Sequence, residues 1–322
     1  MSILVTGGAG YIGSHVVRLL EERGESVIVV DDFSSGLRSR VGAVVQLDLA
    51  AADATSALIA IMHEHDVSSV IHLAALKDVA ESVAEPERYY SVNVGGLGHL
   101  LEAMRSVGVT RIVFSSSAAV YGDVQDVVVT ERTPCSPINP YGQTKLIGEW
   151  MLDAAHDAWG LRSISLRYFN VAGAGWDDLA DTAAKNLIPI VVDRILRGES
   201  PVVYGDDHDT PDGTCIRDYI HVADLARAHL AAVDTLRDAS DFAGPVNIGT
   251  GKGASVREVV AEVSSALGRP STLRVAAARA GDPAAVVADP SVAADQLGWR
   301  PRHGLDAIVR SALGAVHTPD AR

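Results

Sequence analysis

Tyr141 and Lys145 stand four residues apart in "NPYGQTKLIGE", where the Asn-Pro start and the apolar spacing that follows predict a helix. Residues i and i+4 share a helix face, so a phenol and an amine are stacked one above the other. Taken alone, such a pair is an ordinary surface contact. Upstream, "RIVFSSS" reads as a buried strand that delivers Ser115, Ser116 and Ser117 to its carboxyl end. A hydroxyl, a phenol and an amine at one sheet edge form a set for moving a proton. The lysine cation favours tyrosinate, and tyrosinate can take a proton from an alcohol as hydride leaves the same carbon. Free tyrosine titrates near ~10, so this base needs a pKa lowered by roughly two or three units, which Lys145 and a second positive charge beside it can supply.

A hydride needs an acceptor, and the N-terminal stretch is built for one. The strand "ILVT" runs into Gly7, Gly8, Gly10 and Gly13, with Tyr11 and Ile12 between the last two, and the helical "SHVVRLLEERG" follows at once. Glycines let the backbone turn tightly and approach a pyrophosphate, whose charge meets the free amides of the helix start. Asp31 ends the next strand, where a carboxylate accepts hydrogen bonds from ribose hydroxyls and repels a 2′-phosphate. Asp32 follows it and no Arg or Lys comes before Arg38, so the pattern favours NAD over NADP. Asp48, beside Leu49 in "QLDL", is placed either at the adenine side of such a site or as a plain strand-end acid.

These groups must be positioned by a sheet. Short apolar runs, "SILVT", "SVIVVD", "AVVQLDL", "SSVIHLAA", "RIVFSSS" and "SISLRYFNV", alternate with segments of helical period. That is the pattern of an α/β fold with a doubly wound parallel sheet, ligands lying at the carboxyl ends of the strands. After about Val171 the rhythm breaks into stretches rich in Gly, Asp and Pro, which predict a smaller substrate-binding domain of loops and short elements. The expected division is 1–171 for the dinucleotide-binding domain and 172–322 for the second, with a return to the first around 218–249 through "ADLARAHLAAVDTLRD" and "GPVNIGTG".

The 322 residues carry a net charge of -14, which argues against a protein built around nucleic acid or an anionic membrane, so a phosphorylated ligand has to be held by local cations. Cys135 and Cys215 show neither a disulfide framework nor metal spacing, and no metal site is expected. The chain opens directly into its first strand, with no basic n-region or apolar h-region, and its apolar runs are too short to span a bilayer; a cytoplasmic location is the expectation.

Taken together, TGGAGYIGSH, SSSAAVYGD, Pro-Tyr-Gly-x-x-Lys, LRYFNVAGA, NLIP, GTCIRDYIHVADLA and NIGTG resemble the UDP-glucose (UDP-galactose) 4-epimerase family of the extended short-chain dehydrogenase/reductases over nearly the whole length. The resemblance implies that Tyr141 is the base on the sugar 4-hydroxyl, that Ser117 binds the same oxygen, and that Lys145 binds the nicotinamide ribose. It places Ser115, Lys77, Asn93 and Phe169 at the cofactor. By residue type alone Lys77 is a surface lysine, Phe169 a core aromatic and His72 an interior histidine. For the nucleotide sugar it points to Asn170, Asn186, Leu187, Arg217, Tyr219, Arg279 and Asp282, with Val203 and Tyr204 flanking the uracil. The arginines have the clearest physical case, since guanidinium forks match a diphosphate. A homodimer, formed through the helix bearing Tyr141 and the one before it, is also implied.

That family oxidises C4 to a 4-keto sugar, turns the sugar and reduces it from the other face. Val286 falls where its members carry either a bulky aromatic or a small residue, so valine implies room for UDP-N-acetylglucosamine. A 4,6-dehydratase would carry Asp-Glu just after the serine, and this chain has Ala118 and Ala119. A 4-epimerase or decarboxylase of UDP-uronates remains open, as does a non-catalytic NAD-binding regulator. Two further expectations concern loops: the segment before "NLIP" is shorter than is common in the family, and the spacer residues Gln143 and Thr144 point away from the Tyr-Lys face.

Overall fold

A computed structural model describes residues 1–124, 127–181, 186–238, 242–278 and 283–316. Its largest sheet has seven strands, all parallel, in the order Gly244–Ile248, Arg162–Tyr168, Arg111–Ser117, Val67–His72, Ser2–Thr6, Val27–Asp31, Val44–Gln46. From the first strand the chain winds outward through Val27–Asp31 and Val44–Gln46, then returns to lay Val67–His72 against the first strand's other side. The carboxyl ends of Ser2–Thr6 and Val67–His72 are thus the switch point, where the loops leave in opposite directions and open a crevice.

The strands are apolar on both faces because helices cover both. Ile3, Leu4 and Val5 are fully buried, each contributing on the order of 1.5–3 kcal/mol of burial. One face packs under the helices Tyr11–Glu22 and Val222–Arg237; the other packs under Ala54–Glu64, Gly96–Val107 and Pro140–Trp159.

A five-stranded sheet forms the second half, with Ile216–His221 at its centre beside Gly253–Ser255, Ala285–Ala288 and Asn170–Ala172, and Val128–Val129 at one edge. Its core is filled by the helices Leu187–Leu196, Val256–Leu267 and Leu305–Val316, so this half is more helical than loops and short elements. The sequence masked these helices because Gly, Asp and Pro cluster in the turns between them.

Three other departures bear on the site. "SISLRYFNV" is two strands, which break at Phe169 as the chain steps from the large sheet to the small one. Asn170–Ala172 thus already belongs to the small sheet, two residues before the expected start at 172, as does the earlier Val128–Val129, and Ile216–His221 belongs to it too; the chain packs back on the large sheet with the helix Val222–Arg237 and again at Ser291–Leu297. The expected single helix over "ERYYSVNVGGLGHLLEAMRSVG" contains a wide π turn, Tyr90–Gly95, which rotates Asn93 inward. Such turns concentrate at functional sites, and 3.6-residue periodicity does not reveal them.

Candidate active site

The first strand ends in a turn where Gly7 has φ +72°, a conformation that strains any residue with a side chain. A Cβ on Gly7 would lie 2.6 Å from the Ala74 nitrogen, and one on Gly13 would lie 2.1 Å from the Gly7 carbonyl oxygen. The switch-point loops and the helix start therefore close to backbone contact, leaving a cradle only glycine permits. Gly10 precedes the helix Tyr11–Glu22 with no side-chain cap, so the first helix amides face the crevice. Asp31 is held there by the Ala9 amide on Oδ2 at 2.9 Å and the Phe33 amide on Oδ1 at 2.8 Å. Burial raises its pKa and these amides lower it. Each carboxylate oxygen keeps acceptor capacity for a ribose hydroxyl. The arrangement fits an adenine dinucleotide.

The catalytic set comes from a strand, a helix and the turn between them. Asn139 caps the helix Pro140–Trp159 by accepting the Gly142 amide at 2.9 Å, and Pro140 occupies its first position. This start sets the rotation that turns Tyr141 and Lys145 inward, and both are buried. Ser117 ends the strand Arg111–Ser117, accepts the Ala119 amide at 3.2 Å, and lines the cavity beside the Tyr141 phenol. Burial raises the Tyr141 pKa, against the lowering from Ser117. Lys145 is pushed down to about 7 by burial, with Glu149 pulling it back up. The Lys145 Nζ donates to the Ser115 carbonyl at 2.8 Å and stands 5.9 Å from the centre of the Tyr141 ring. The expectation that Lys145 depresses Tyr141 is therefore not met by the chain alone, because its amine is turned toward the strand.

A cavity of about 570 Å³ joins these parts. Of the expected cofactor residues, Gly7, Gly10, Tyr11, Ile12, Gly13, Asp31, Asp48, Leu49, Lys77 and Phe169 line it, as do Ser117, Tyr141 and Lys145; of the expected sugar-nucleotide residues, Asn170, Asn186, Arg217 and Val286 line it. Arg217 Nη1 donates to the Ile216 carbonyl at 2.7 Å on the wall formed by the small sheet. Ala118 and Ala119 present only methyl groups where an elimination would need an acid and a base. His72 is interior: it bonds Thr6 Oγ1 at 2.7 Å, stacks on Phe114, and is pushed down to about 3 by burial.

Other expected residues lie elsewhere. The Ser115 hydroxyl meets His229 Nε2 at 3.2 Å in the core, so only its carbonyl serves the site, through Lys145. Asn93 lies behind the cavity wall: its Oδ1 accepts the Leu76 amide at 2.8 Å, and its Nδ2 donates to the Leu76 carbonyl and to Thr144 Oγ1 at 3.0 Å. Thr144 therefore does not point away; it is buried, and it couples the Tyr-Lys helix to the loop that lines the crevice. Leu187 and Val203 pack into the core of the second half, Tyr204 is exposed at the end of its strand, and Tyr219 is buried at a separate cavity. Arg279 and Asp282 lie outside the described residues, as do residues 182–185 of the shortened segment before "NLIP".

Arg40, Asp181 and Asp218 also line the cavity and were not singled out from the sequence. Arg40 is buried beside Tyr11 and donates to the Ala180 carbonyl, tying the loop after Asp31 to the second half. Asp218 accepts the Thr250 hydroxyl at 2.6 Å and the amides of Thr250, Gly251 and Ala288. A basic residue in the loop after the second strand was the only signal for Arg40. Asp218 was hidden in "IRDYIHV", where an acid inside an apolar run was the available clue.

Residues 3–249 match the NAD dependent epimerase/dehydratase family. The chain belongs to that family. Among relatives of this epimerase/dehydratase, the UDP-glucose 4-epimerase of Azospirillum brasilense is 46% identical over 316 residues, covering 97% of this chain and 90% of its own. A structure of UDP-glucose 4-epimerase from Brucella ovis in complex with NAD superposes with a TM-score of 0.91 at 44% identity, covering 98% of each chain. The UDP-glucose 4-epimerase of Bifidobacterium longum, in complex with NAD+ and UDP, gives 0.89 at 36% identity over 100% of each chain. The cofactor of this family is NAD, which is the group the glycine cradle and Asp31 fit.

Proposed function

We propose that the chain interconverts UDP-glucose and UDP-galactose by inversion at C4, with NAD retained between turnovers. The observation that carries this is the pairing of Ser117 with the Tyr141 phenol on the wall of a cavity that also holds the glycine cradle and Arg217. The bound dinucleotide supplies reversible hydride uptake at its nicotinamide, and its positive ring adds the charge that brings the Tyr141 phenol toward ionisation. Tyr141 takes the proton of the 4-hydroxyl, and Ser117 holds that oxygen by a hydrogen bond. Lys145, anchored on the Ser115 carbonyl, presents its amine to the nicotinamide ribose. Tyr141 later returns the proton to the opposite alcohol, so the cycle is redox-neutral. Arg217 fixes the diphosphate while the sugar turns.

Three finer points accompany this reading. Val286 leaves the sugar end wide enough for an N-acetyl group, which favours turnover of UDP-N-acetylglucosamine and its galacto epimer. The outer faces of Gly96–Val107 and Pro140–Trp159 are the proposed homodimer contact; Trp150, on the second of these helices, is 59% exposed. A cytoplasmic location accords with two free cysteines and with the lack, among the described residues, of a helix long and apolar enough to cross a membrane. The test is incubation without added NAD, separately with UDP-galactose, UDP-N-acetylgalactosamine and UDP-galacturonate, with products resolved by NMR. Conversion of none overturns the epimerase reading, and conversion of the uronate alone moves it to the uronate enzymes.

A further inference from the structure

Beyond Tyr141 and Lys145, the same helix row continues to Glu149, four residues further on and likewise buried. Successive turns of this helix grip three adjacent residues of one strand. Tyr141 stands beside Ser117, Lys145 Nζ donates to the Ser115 carbonyl at 2.8 Å, and Glu149 Oε1 accepts the Ser116 hydroxyl at 2.5 Å. Glu149 is also clasped by Arg167 from the neighbouring strand, through Nε at 2.9 Å and Nη2 at 2.5 Å. Both members of this ion pair are buried, so solvent screens them little, and the carboxylate is the one on the Lys145 row.

We infer that Glu149, partly neutralised by Arg167, is a positioning residue that holds Lys145 in its cationic form, so that the two halves of this buried pair tune the Tyr141–Lys145 couple with opposite sign. This rests on the function proposed above. Burial alone favours neutral Lys145, and Glu149 is the opposing influence. The other titratable groups around Lys145 are Tyr141 on its own helix, His72 and Tyr168 on neighbouring strands, and His229 behind Ser115. None of them carries a negative charge at neutral pH: burial holds both imidazoles neutral, at about 3 for His72 and about 4 for His229, and raises both phenols. Asp153, Tyr121 and Cys135 face the ion pair rather than the amine.

The chain holds four lysines, so lysine side-chain carbons labelled with 13C give few enough NMR signals to titrate one by one; the Lys145 signal is assigned by its loss in Lys145→Met. In Glu149→Gln the Lys145 titration midpoint moves down by on the order of one pH unit, and in Arg167→Gln it moves up by a similar amount. The alkaline limb of kcat for UDP-galactose moves with it. Midpoints that shift in the same direction, or not at all, overturn the inference, as does a limb that ignores a shifted midpoint. If a single variant fails to fold, judged by its unfolding transition and NAD content, Glu149→Gln/Arg167→Gln removes both charges. Its midpoint falls below the native value, because Glu149 is the charge that acts on Lys145 directly; a midpoint at or above the native value contradicts the assignment. Failure of the unaltered protein to convert UDP-galactose would remove the proposed function, while the Lys145 titration would still decide the electrostatic role.

Discussion

Gly13→Ala probes the cradle most directly, because the space for one methyl group can be measured. The added Cβ would sit 2.1 Å from the Gly7 carbonyl oxygen and 2.8 Å from the Gly8 Cα, both backbone atoms with no rotamer to change. Non-bonded carbon and oxygen need roughly 3 Å or more, so the turn or the helix must move by about 1 Å. Overpacking of this kind costs about 1–3 kcal/mol, and the upper end applies where backbone is the obstacle. That movement also pulls the helix amides away from the pyrophosphate. The assay is NAD content of the purified variant, measured after acid release, beside its urea unfolding curve. A stability loss of about 3 kcal/mol and loss of most of the bound NAD are expected. Gly42→Ala is the control, since nothing lies within 4 Å of its added Cβ. A Gly13→Ala protein with full NAD content and an unchanged unfolding midpoint would refute the close-approach reasoning.

Tyr141→Phe should keep the fold and the cofactor while lowering kcat about 10²–10⁴-fold, the contribution of a positioned general base. Equal kcat in the two proteins would remove Tyr141 from the mechanism. Val286→Tyr should suppress turnover of the N-acetyl sugars far more than that of UDP-galactose, read as a ratio of kcat/KM. Asp218→Asn replaces an acceptor-only group with one bearing an N–H donor, against the amides of Thr250, Gly251 and Ala288. It should cost about 2–4 kcal/mol in urea unfolding, and a loss under about 0.5 kcal/mol would contradict the role. His72 and His229 are held neutral by burial, at about 3 and about 4, while the unfolded chain binds protons near ~6.5. Their stabilisation is complete above that value and is lost as the pH falls toward 4, at roughly 1.4 kcal/mol per histidine per pH unit. The urea midpoint should therefore fall steeply between pH 6 and pH 4.5.

Local features carried most of what the sequence revealed. The glycine turn, the acid that ends the next strand and the Tyr-Lys spacing are short patterns whose geometry follows from neighbouring residues. They all line one cavity. What escaped depends on segments far apart in the chain. Arg40 matters because Ala180 meets it, and Asn93 because a π turn swings it behind Leu76. Ser115 was misassigned because strand alternation alone does not say which face a helix will cover. Its hydroxyl lies against His229 from a helix that starts over a hundred residues later. Leu187, Val203 and Tyr219 were attached to the sugar site by resemblance, and they pack into the core of the second half.

The crossing at Phe169 has a consequence for anyone wishing to exchange substrate preference between proteins of this architecture. The chain passes between the two halves there, and again near His221, Gly251, Asp289 and Gly298, and the crossing at Phe169 lines the cavity itself. No single cut separates a portable sugar module from its cofactor partner. A graft would have to splice several junctions at once, one of them, at Phe169, in the cavity wall. New specificities on this scaffold should therefore come more readily from point changes on the cavity wall than from recombination of whole halves.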